Sequence, residues 1–207
     1  AGCRISFSRH WPHRLLMLGT VLYLHGFLSG PTGLKARLVQ QECQKRSLAC
    51  LVPDLNEEPT KVWQQILALL KTYEPGTIGI VASSLGGFYA ARALGDVACR
   101  AVLINPATRP WDAIEAFLGE QKTSDGRLVV IKKEYAEQLR ALKAIPFKDP
   151  SQVLVALSTA DEVLNWKEAR DAFSDSPLLM LENADHAVSH FARYVSQVID
   201  FLTERKG

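Results

Sequence analysis

The stretch IVASSLGGFYA, residues 80–90, decides the fold. An apolar run of β-strand character ends in two serines, and a helix-like pattern begins directly after them. Residues 82–86 (ASSLG) are a variant of Gly-x-Ser-x-Gly, which forms a sharp strand-to-helix turn with an exposed central serine. The residues two positions before and after that serine must be small because the two arms nearly touch, and here they are Ala82 and Gly86. Ser84 is therefore a candidate nucleophile, and a plain turn at a strand end is the alternative.

The rest of the chain alternates short runs of Val, Leu and Ile with longer helical patterns. These patterns predict strands at 20–27, 48–55, 77–83, 100–107, 152–159 and 177–183, and helices at 32–47, 59–73, 85–95, 165–173 and 187–206. The strand segments are continuously apolar, which indicates a sheet that helices cover on both faces. The sequence therefore predicts the α/β class, with a mostly parallel open sheet of about six to seven strands.

Residues 108–148 interrupt this alternation and contain no strong strand pattern. They hold a polar turn at 122–127 (KTSDGR) and a charged helical segment at 132–144. We predict a small cap-like insertion over the ligand crevice, within a single domain that spans 17–207. The candidates for lining a substrate pocket are Leu28, Trp111, Phe117 and Leu118. Packing of a surface helix is an equal alternative for the two aromatic residues.

Composition and charge are those of an ordinary globular protein. The chain has 207 residues, of which 47% are hydrophobic and 22% charged, with a formal net charge of +2. Without Arg4, Arg9 and Arg14 it holds 21 basic residues against 22 acidic ones, so no basic footprint for nucleic acid remains. Residues 1–16 have no apolar face of either period, and we predict that they are an N-terminal extension outside the fold. They resemble a signal peptide, but the following apolar run continues into the first strand without a small-residue cleavage site.

Several classes of protein are disfavoured by patterns that the sequence lacks. No apolar run approaches the ~18 residues that a membrane span needs. No strand is followed by Gly-x-Gly-x-x-Gly or Gly-x-x-x-x-Gly-Lys, which argues against a nucleotide-binding protein. The four cysteines show neither Cys-x-x-Cys nor metal-ligand spacing. Free thiols in a reducing cytosol are the simpler interpretation and predict a cytoplasmic protein, while a redox pair of Cys43 and Cys50 is the alternative.

Polar residues that follow the predicted strands are the next candidates, because open parallel sheets bind ligands outside the carboxyl ends of their strands. These residues are His25, Asp54, Ser83, Ser84, Asn105, Asp161 and His186. An acid after the penultimate strand is placed to orient a histidine, which makes Asp161 the candidate, with Glu162 in reserve and Asp54 as a further candidate. A helix N-cap or a surface carboxylate is the structural alternative for Asp161.

His186 follows the last predicted strand. A histidine that titrates near neutral pH can accept the serine proton and return it to a leaving group. A capping or half-buried histidine is the alternative, and His190, one turn further on, is expected on a helix face. His25 ends the first strand and is interpreted as a structural residue of the loop, in preference to a general base.

Two backbone amides complete the candidate site. Gly26 lets the chain turn sharply, so that the amide of Phe27 can face the hydroxyl of Ser84. The amide of Leu85, at the start of the following helix, is the second candidate donor to an oxyanion. The chain order of oxyanion strand, Ser, Asp and His matches that of α/β-hydrolases.

The chain also resembles a known family over about residues 20–203, the YqiA/YcfP-type family of small bacterial α/β-hydrolase esterases. The segments that carry the resemblance are YLHGF (23–27), LKA (34–36), SSLGGFYA (83–90), INPA (104–107), RPW (109–111), FLGEQ (117–121), DEVLNW (161–166) and DHAVSHF (185–191). The resemblance implies hydrolysis of acyl esters or acyl thioesters, with Ser84, Asp161 and His186 at the positions of the family's catalytic residues. The chain departs from the family at Ala82, where glycine is usual, and in ENADH (182–186), where the family approaches its histidine through glycines.

The predicted function is that of a serine esterase or thioesterase acting on small to medium acyl groups through an acyl-enzyme intermediate. This chemistry requires no metal and no organic cofactor, and its partner is a small-molecule substrate. Acyl transfer by the same residues and a non-catalytic binding protein on the same fold are the alternatives. The sequence is compatible with a monomer or a small homo-oligomer.

Overall fold

A six-stranded parallel sheet forms the centre of the computed structural model, which describes residues 17–204. Its strands are β1 (Thr20–Leu24), β2 (Ala49–Leu51), β3 (Ile78–Ser83), β4 (Ala101–Ile104), β7 (Val153–Ser158) and β8 (Leu178–Leu181), and a separate antiparallel hairpin consists of β5 (Gly119–Lys122) and β6 (Leu128–Ile131). The strand order in the sheet is β2-β1-β3-β4-β7-β8, and every neighbouring pair is parallel. The predicted mostly parallel α/β sheet is therefore confirmed.

Helices cover both faces of this sheet. They are α1 (Leu34–Lys45), α2 (Pro59–Leu70), α3 (Leu85–Asp96), α4 (Tyr135–Ala141), α5 (Trp166–Ala172) and α6 (Val195–Thr203). Residues of α1 and α6 contribute to the apolar core on one side, and residues of α2, α3, α4 and α5 contribute to the core on the other. No helix among residues 17–204 is long and apolar enough to cross a membrane.

Successive residues of the strands enter opposite cores. In β1, Leu22 and Leu24 belong to one core while Val21 and Tyr23 belong to the other, and none of the four is more than 2% exposed. Full burial of such a side chain stabilises a fold by about 1.5–3 kcal/mol. Because apolar side chains stabilise both faces of such a strand, its sequence does not alternate apolar with polar residues. This explains the continuous apolar runs in the sequence.

The insertion at 108–148 contains a β-hairpin, although its sequence shows no strong strand pattern. Strand β6 is the run Leu-Val-Val-Ile, whose β-branched residues favour extended backbone. The turn between the strands is ordered by Thr123, whose hydroxyl bonds the side chain of Asp125, and by Gly126, which has a φ of +88°. The charged helix expected at 132–144 is present as the shorter α4, Tyr135–Ala141.

The last helix begins at Val195 and not at 187 as predicted. Val188 has a φ of +50°, which a right-handed helix does not accommodate. The carboxylate of Asp185 also accepts bonds from the amide and the hydroxyl of Ser189, at 2.7 and 2.5 Å. These local bonds compete with helical ones, so residues 184–190 form a loop. The predicted extension at 1–16 lies outside the described residues, and the assignment of 17–207 to a single domain stays a prediction.

Candidate active site

Ser84 lies in a strained turn between β3 and α3. Its backbone has φ +53° and ψ −119°, a region that costs a non-glycine residue about 1–3 kcal/mol. The turn is held by the Ser84 amide, which donates to the carbonyl of Ile104 at 3.0 Å, and by the Ser84 carbonyl, which accepts from Phe88 and Ala107 at 3.2 and 3.1 Å. The hydroxyl is thereby placed at the carboxyl end of the sheet.

A glycine is required at position 86 because the backbone at the end of β1 passes very close to the start of α3. A Cβ at position 86 would lie 2.2 Å from the carbonyl oxygen of Leu24 and 2.6 Å from that of His25, and both are backbone atoms. Ala82, on the other arm, is fully buried in register with Leu24 of β1 and Leu103 of β4. The core therefore has room for the methyl group that replaces the family's usual glycine.

Replacement of Gly86 with alanine is expected to lower the free energy of unfolding by about 3 kcal/mol, because backbone atoms must move to admit the methyl group. Helix propensity alone would favour alanine by about 1 kcal/mol, so the sign of the change separates the two effects. Urea denaturation measures it. Gly19→Ala is the matched control, because a Cβ at position 19 meets nothing within 4 Å. A Gly86→Ala protein as stable as the wild type would contradict this account of the turn.

Ser84, His186 and Asp161 form a continuous hydrogen-bonded chain of side chains. The Nε2 atom of His186 lies 3.1 Å from the Oγ of Ser84, and its Nδ1 lies 2.8 Å from the Oδ2 of Asp161. The other oxygen of Asp161 accepts the amides of Val163 and Leu164 at 2.9 and 2.7 Å. The structure thus brings together three residues that the sequence separates by 77 and 25 positions.

The environment of Asp161 favours its ionised form. Burial raises the pKa of this carboxyl group, but the hydrogen bonds from His186, Leu164 and Val163 outweigh burial, and the pKa lies below its ordinary value. An ionised carboxylate only accepts hydrogen bonds. The Nδ1 of His186 therefore carries the proton, and Nε2 is left to accept a bond from the hydroxyl of Ser84.

Three side chains fix the loop that carries His186. Glu162 accepts the amide of His186 at 2.9 Å, Asn105 donates to the carbonyl of His186 at 3.0 Å, and Lys35 donates to the carbonyl of Ala187 at 2.8 Å. Glu162, the reserve candidate for the acid, thus contacts the backbone of His186 and not its ring. Asn105 appeared among the strand-end residues but without a role. Lys35 lies in the segment LKA (34–36) that carries part of the family resemblance, but the sequence assigned it no role, and its partner is 152 positions away.

The turn after β1 passes directly against Ser84. A Cβ at Gly26 would lie 3.2 Å from the Cβ of Ser84. Both ring nitrogens of His25 are engaged in this turn: Nε2 accepts the amide of Leu55 at 2.9 Å, and Nδ1 donates to the carbonyl of Gly26 at 2.9 Å. Burial lowers the pKa of His25, so its ring is neutral, in agreement with its interpretation as a structural residue.

Two amides beside Ser84 have no hydrogen-bond acceptor among residues 17–204. They belong to Phe27, which follows the turn, and to Leu85, the first residue of α3. The first amides of any helix lack an intrahelical partner, and they carry the positive end of the helix dipole. Both amides are therefore available to an anionic oxygen, and their role as an oxyanion hole stays a prediction.

Two cavities flank this site. The smaller, of about 250 Å³, is lined by Phe27, Leu28 and Leu85, and the larger, of about 1130 Å³, is lined by Asp161 and Trp111. Phe117 meets Phe27 edge to face with ring centres 5.1 Å apart, but it is not part of either lining. Leu118 is 44% exposed and lines neither of these two cavities.

The other candidates occupy separate environments. Asp54 pairs with Arg127 and accepts the amide of Asn56 at 3.1 Å, which ties the hairpin turn to the loop after β2. His190 is exposed and precedes a short 3-10 helix, so it does not lie on a helix face as expected. No cluster of three or more His, Cys, Asp or Glu side chains within 17–204 could hold a metal ion.

Comparison with known proteins agrees with this fold. Residues 20–203 match the model of an uncharacterised protein family, UPF0227. Among solved structures, Est1E from Butyrivibrio proteoclasticus is 18% identical with a TM-score of 0.63, over 89% of this chain and 86% of that one. The esterase domain of a Rhodothermus marinus protein is 20% identical with a TM-score of 0.65, over 91% and 87% of the two chains. Mouse alpha/beta hydrolase domain-containing protein 10 is 20% identical with a TM-score of 0.63, over 87% and 89%. The architecture is that of an α/β-hydrolase.

Proposed function

The chain belongs to the UPF0227 family, which confirms the resemblance to the YqiA/YcfP-type proteins, and on this premise we propose that it is a serine esterase or thioesterase. Its substrates are esters or thioesters of small to medium acyl groups. One observation carries the proposal: the hydrogen-bonded chain from Ser84 through His186 to Asp161, with distances of 3.1 and 2.8 Å. The location in the cytoplasm and a monomeric or small homo-oligomeric state are further parts of this proposal.

The proposed reaction begins with attack of the Ser84 oxygen on the carbonyl carbon of the substrate. His186 takes the hydroxyl proton on Nε2, and Asp161 stabilises the imidazolium that forms. The amides of Phe27 and Leu85 bind the oxyanion of the tetrahedral intermediate, and loss of one such donor typically costs about 100-fold or more in rate. His186 then protonates the leaving alcohol or thiol, which leaves the acyl group on Ser84.

The second half of the reaction returns the enzyme to its starting state. Water enters where the leaving group was, and His186 takes a proton from it as it attacks the acyl carbon. Collapse of the second tetrahedral intermediate releases the carboxylic acid, and the proton returns to the oxygen of Ser84. Each turnover thus converts one ester and one water into one acid and one alcohol, with no net change in the protein.

A fluorophosphonate probe tests the nucleophile directly, because it reacts with activated serines. We expect one equivalent of probe on the wild-type protein, located at Ser84 by peptide mass spectrometry. Ser84→Ala should not be labelled. The matched control is Ser83→Ala, which removes the neighbouring buried hydroxyl and should be labelled as the wild type is. Undiminished labelling of Ser84→Ala would contradict the assignment.

A further inference from the structure

The smaller cavity is lined by the two residues that carry the amides of the proposed oxyanion hole. Its lining includes both Phe27 and Leu85, and the hairpin strand β6 contributes all four of its residues, Leu128–Ile131. The hairpin is held over the cavity by the amide of Ser124, which donates to the carbonyl of Leu28 at 2.7 Å, and by the pairing of Arg127 with Asp54. Defined contacts therefore hold the wall of this cavity in place beside the reacting serine.

The chemistry of ester cleavage decides which part of a substrate enters this cavity. The leaving group must receive its proton from the Nε2 of His186, so it lies on the side of that ring. The larger cavity is on this side, because its lining includes Asp161 and Asn105, two of the residues that bond to His186. With the carbonyl oxygen at the amides of Phe27 and Leu85, the acyl substituent points away from His186 and toward the smaller cavity.

Volume limits the acyl groups that fit. The cavity has about 250 Å³, and a water molecule occupies about 30 Å³ in the liquid, which gives room for about eight non-hydrogen atoms. Much of the wall is apolar, with Leu85, Ile114, Ile131 and Leu139 among its residues. A short aliphatic chain or a single aromatic ring fits this space, and a long fatty acyl chain does not.

Two tyrosines give the cavity a polar part. Tyr89 and Tyr135 both line it, and they are only 1% and 9% exposed. Neither hydroxyl forms a hydrogen bond within residues 17–204, and neither is among the fully enclosed unpaired polar atoms of that part of the chain, so both hydroxyl oxygens reach accessible space. Burial raises the pKa of both tyrosines, Tyr135 also through the nearby Glu58, so both hydroxyls are neutral and can donate as well as accept. Their hydrogen-bonding capacity is free for a ligand.

We propose that the smaller cavity binds the acyl group of the substrate, and that this acyl group carries a hydroxyl or a similar hydrogen-bonding group at its far end, where Tyr89 and Tyr135 bind it. This inference rests on the proposed function, since it names the acid part of the ester that Ser84 attacks. The favoured substrates are esters or thioesters of compact hydroxylated acids, such as hydroxyphenyl-substituted short acids.

Matched esters test the polar part of the cavity. The 4-nitrophenyl esters of phenylacetic and 4-hydroxyphenylacetic acid form one pair, and those of 3-phenylpropanoic and 3-(4-hydroxyphenyl)propanoic acid form a second. We expect kcat/KM to favour the hydroxylated ester about tenfold in at least one pair, the effect of one net hydrogen bond. Tyr89→Phe, Tyr135→Phe and the double variant keep the rings, and the preference should fall toward one in the double variant. No preference in either pair, or a preference that the double variant retains, would overturn the proposal.

A cavity-filling variant tests the location. Val129→Trp, on the half-buried hairpin strand, should lower kcat/KM for the phenylpropanoate esters at least tenfold, and by a larger factor than it lowers kcat/KM for the acetate ester. Equal rates for the larger esters in both proteins would place the acyl group elsewhere and overturn the inference. Hydrolysis of the unsubstituted esters, and its loss in Ser84→Ala, reports separately on the proposed function. A protein that hydrolyses the unsubstituted esters through Ser84 can still show no preference for the hydroxylated esters. The proposed function would then stand while this inference fails.

Discussion

Replacement of His186 with alanine is expected to lower kcat for ester hydrolysis by about 10⁶-fold, the loss typical for removal of the general base from a serine hydrolase. The Nε2 atom of the His186 imidazole lies 3.1 Å from the Oγ of Ser84, and no other histidine among the described residues bonds this oxygen. Without it no group takes the proton as Ser84 attacks, and none returns a proton to the leaving group. The remaining rate should come from substrate binding and the two free amides.

Steady-state kinetics with a 4-nitrophenyl ester measures this loss, with circular dichroism to show that the variant is folded. His190→Ala is the matched control, because His190 is an exposed histidine four positions further along the chain. It should keep the wild-type kcat. If His186→Ala retained more than about a hundredth of the wild-type kcat, general-base catalysis by His186 would be refuted, since that step alone contributes about 10²- to 10⁴-fold.

The central sheet was predictable because burial of both faces of each strand requires a continuous run of apolar residues in the sequence. Residues such as Leu22 and Val21 enter different cores, so the local pattern in each strand already carries the information about its surroundings. The same holds for the turn at Ser84, where the requirement for a small residue at Gly86 is written in the sequence itself. Such features leave a local pattern in the sequence even where, as at Gly86, the contacts that impose it come from residues distant in the chain.

The hairpin and the start of the last helix were missed for a different reason. Strand β6 has two of its four residues more than half exposed, Leu128 at 68% and Val130 at 53%, so it lacks the doubly buried pattern of the main sheet. Residues 187–194 carry a helical pattern of apolar residues, but the positive φ of Val188 and the local bonds of Asp185 override it. The hairpin strand was therefore missed because its pattern is weak, and the start of the last helix because local bonds outweigh the helical pattern.

The residues of the candidate site also fall into a group that the sequence predicts and a group that it does not. Ser84, Asp161 and His186 could be proposed from sequence because each follows a strand, and parallel strands bring their carboxyl ends to one edge. The hydrogen bonds of Lys35 and Glu162 to the His186 loop could not be predicted from the sequence, because they depend on which loops meet in space. The presence of both Tyr89 and Tyr135 in the lining of the smaller cavity depends on the insertion, whose position over the sheet no local pattern specifies.

Replacement of Asp161 with asparagine is expected to lower kcat by about 10⁴-fold while the geometry of the site is preserved. An asparagine can present its NH₂ group to the Nδ1 of His186, which would place the histidine proton on Nε2, where it blocks acceptance of the Ser84 proton. It also removes the charge that stabilises the imidazolium. Asp96→Asn is the matched control, since Asp96 is an exposed residue that pairs with Arg92 on the surface of α3. Such pairs are worth at most about 1 kcal/mol, and kcat should not change.

The Asp161→Asn variant should also change the response of the fold to acid. Because the pKa of Asp161 is lower in the folded protein than its ordinary value, its ionised form stabilises the fold above the unfolded-state pKa, about 3.9. This contribution is lost as the pH falls through the lower, folded-state pKa. The free energy of unfolding should therefore decline more steeply below about pH 4 in the wild type than in Asp161→Asn, measured by urea denaturation across that range. Parallel pH profiles for the two proteins, together with an unchanged kcat, would mean that the carboxylate of Asp161 neither orients His186 nor is held ionised by its hydrogen bonds.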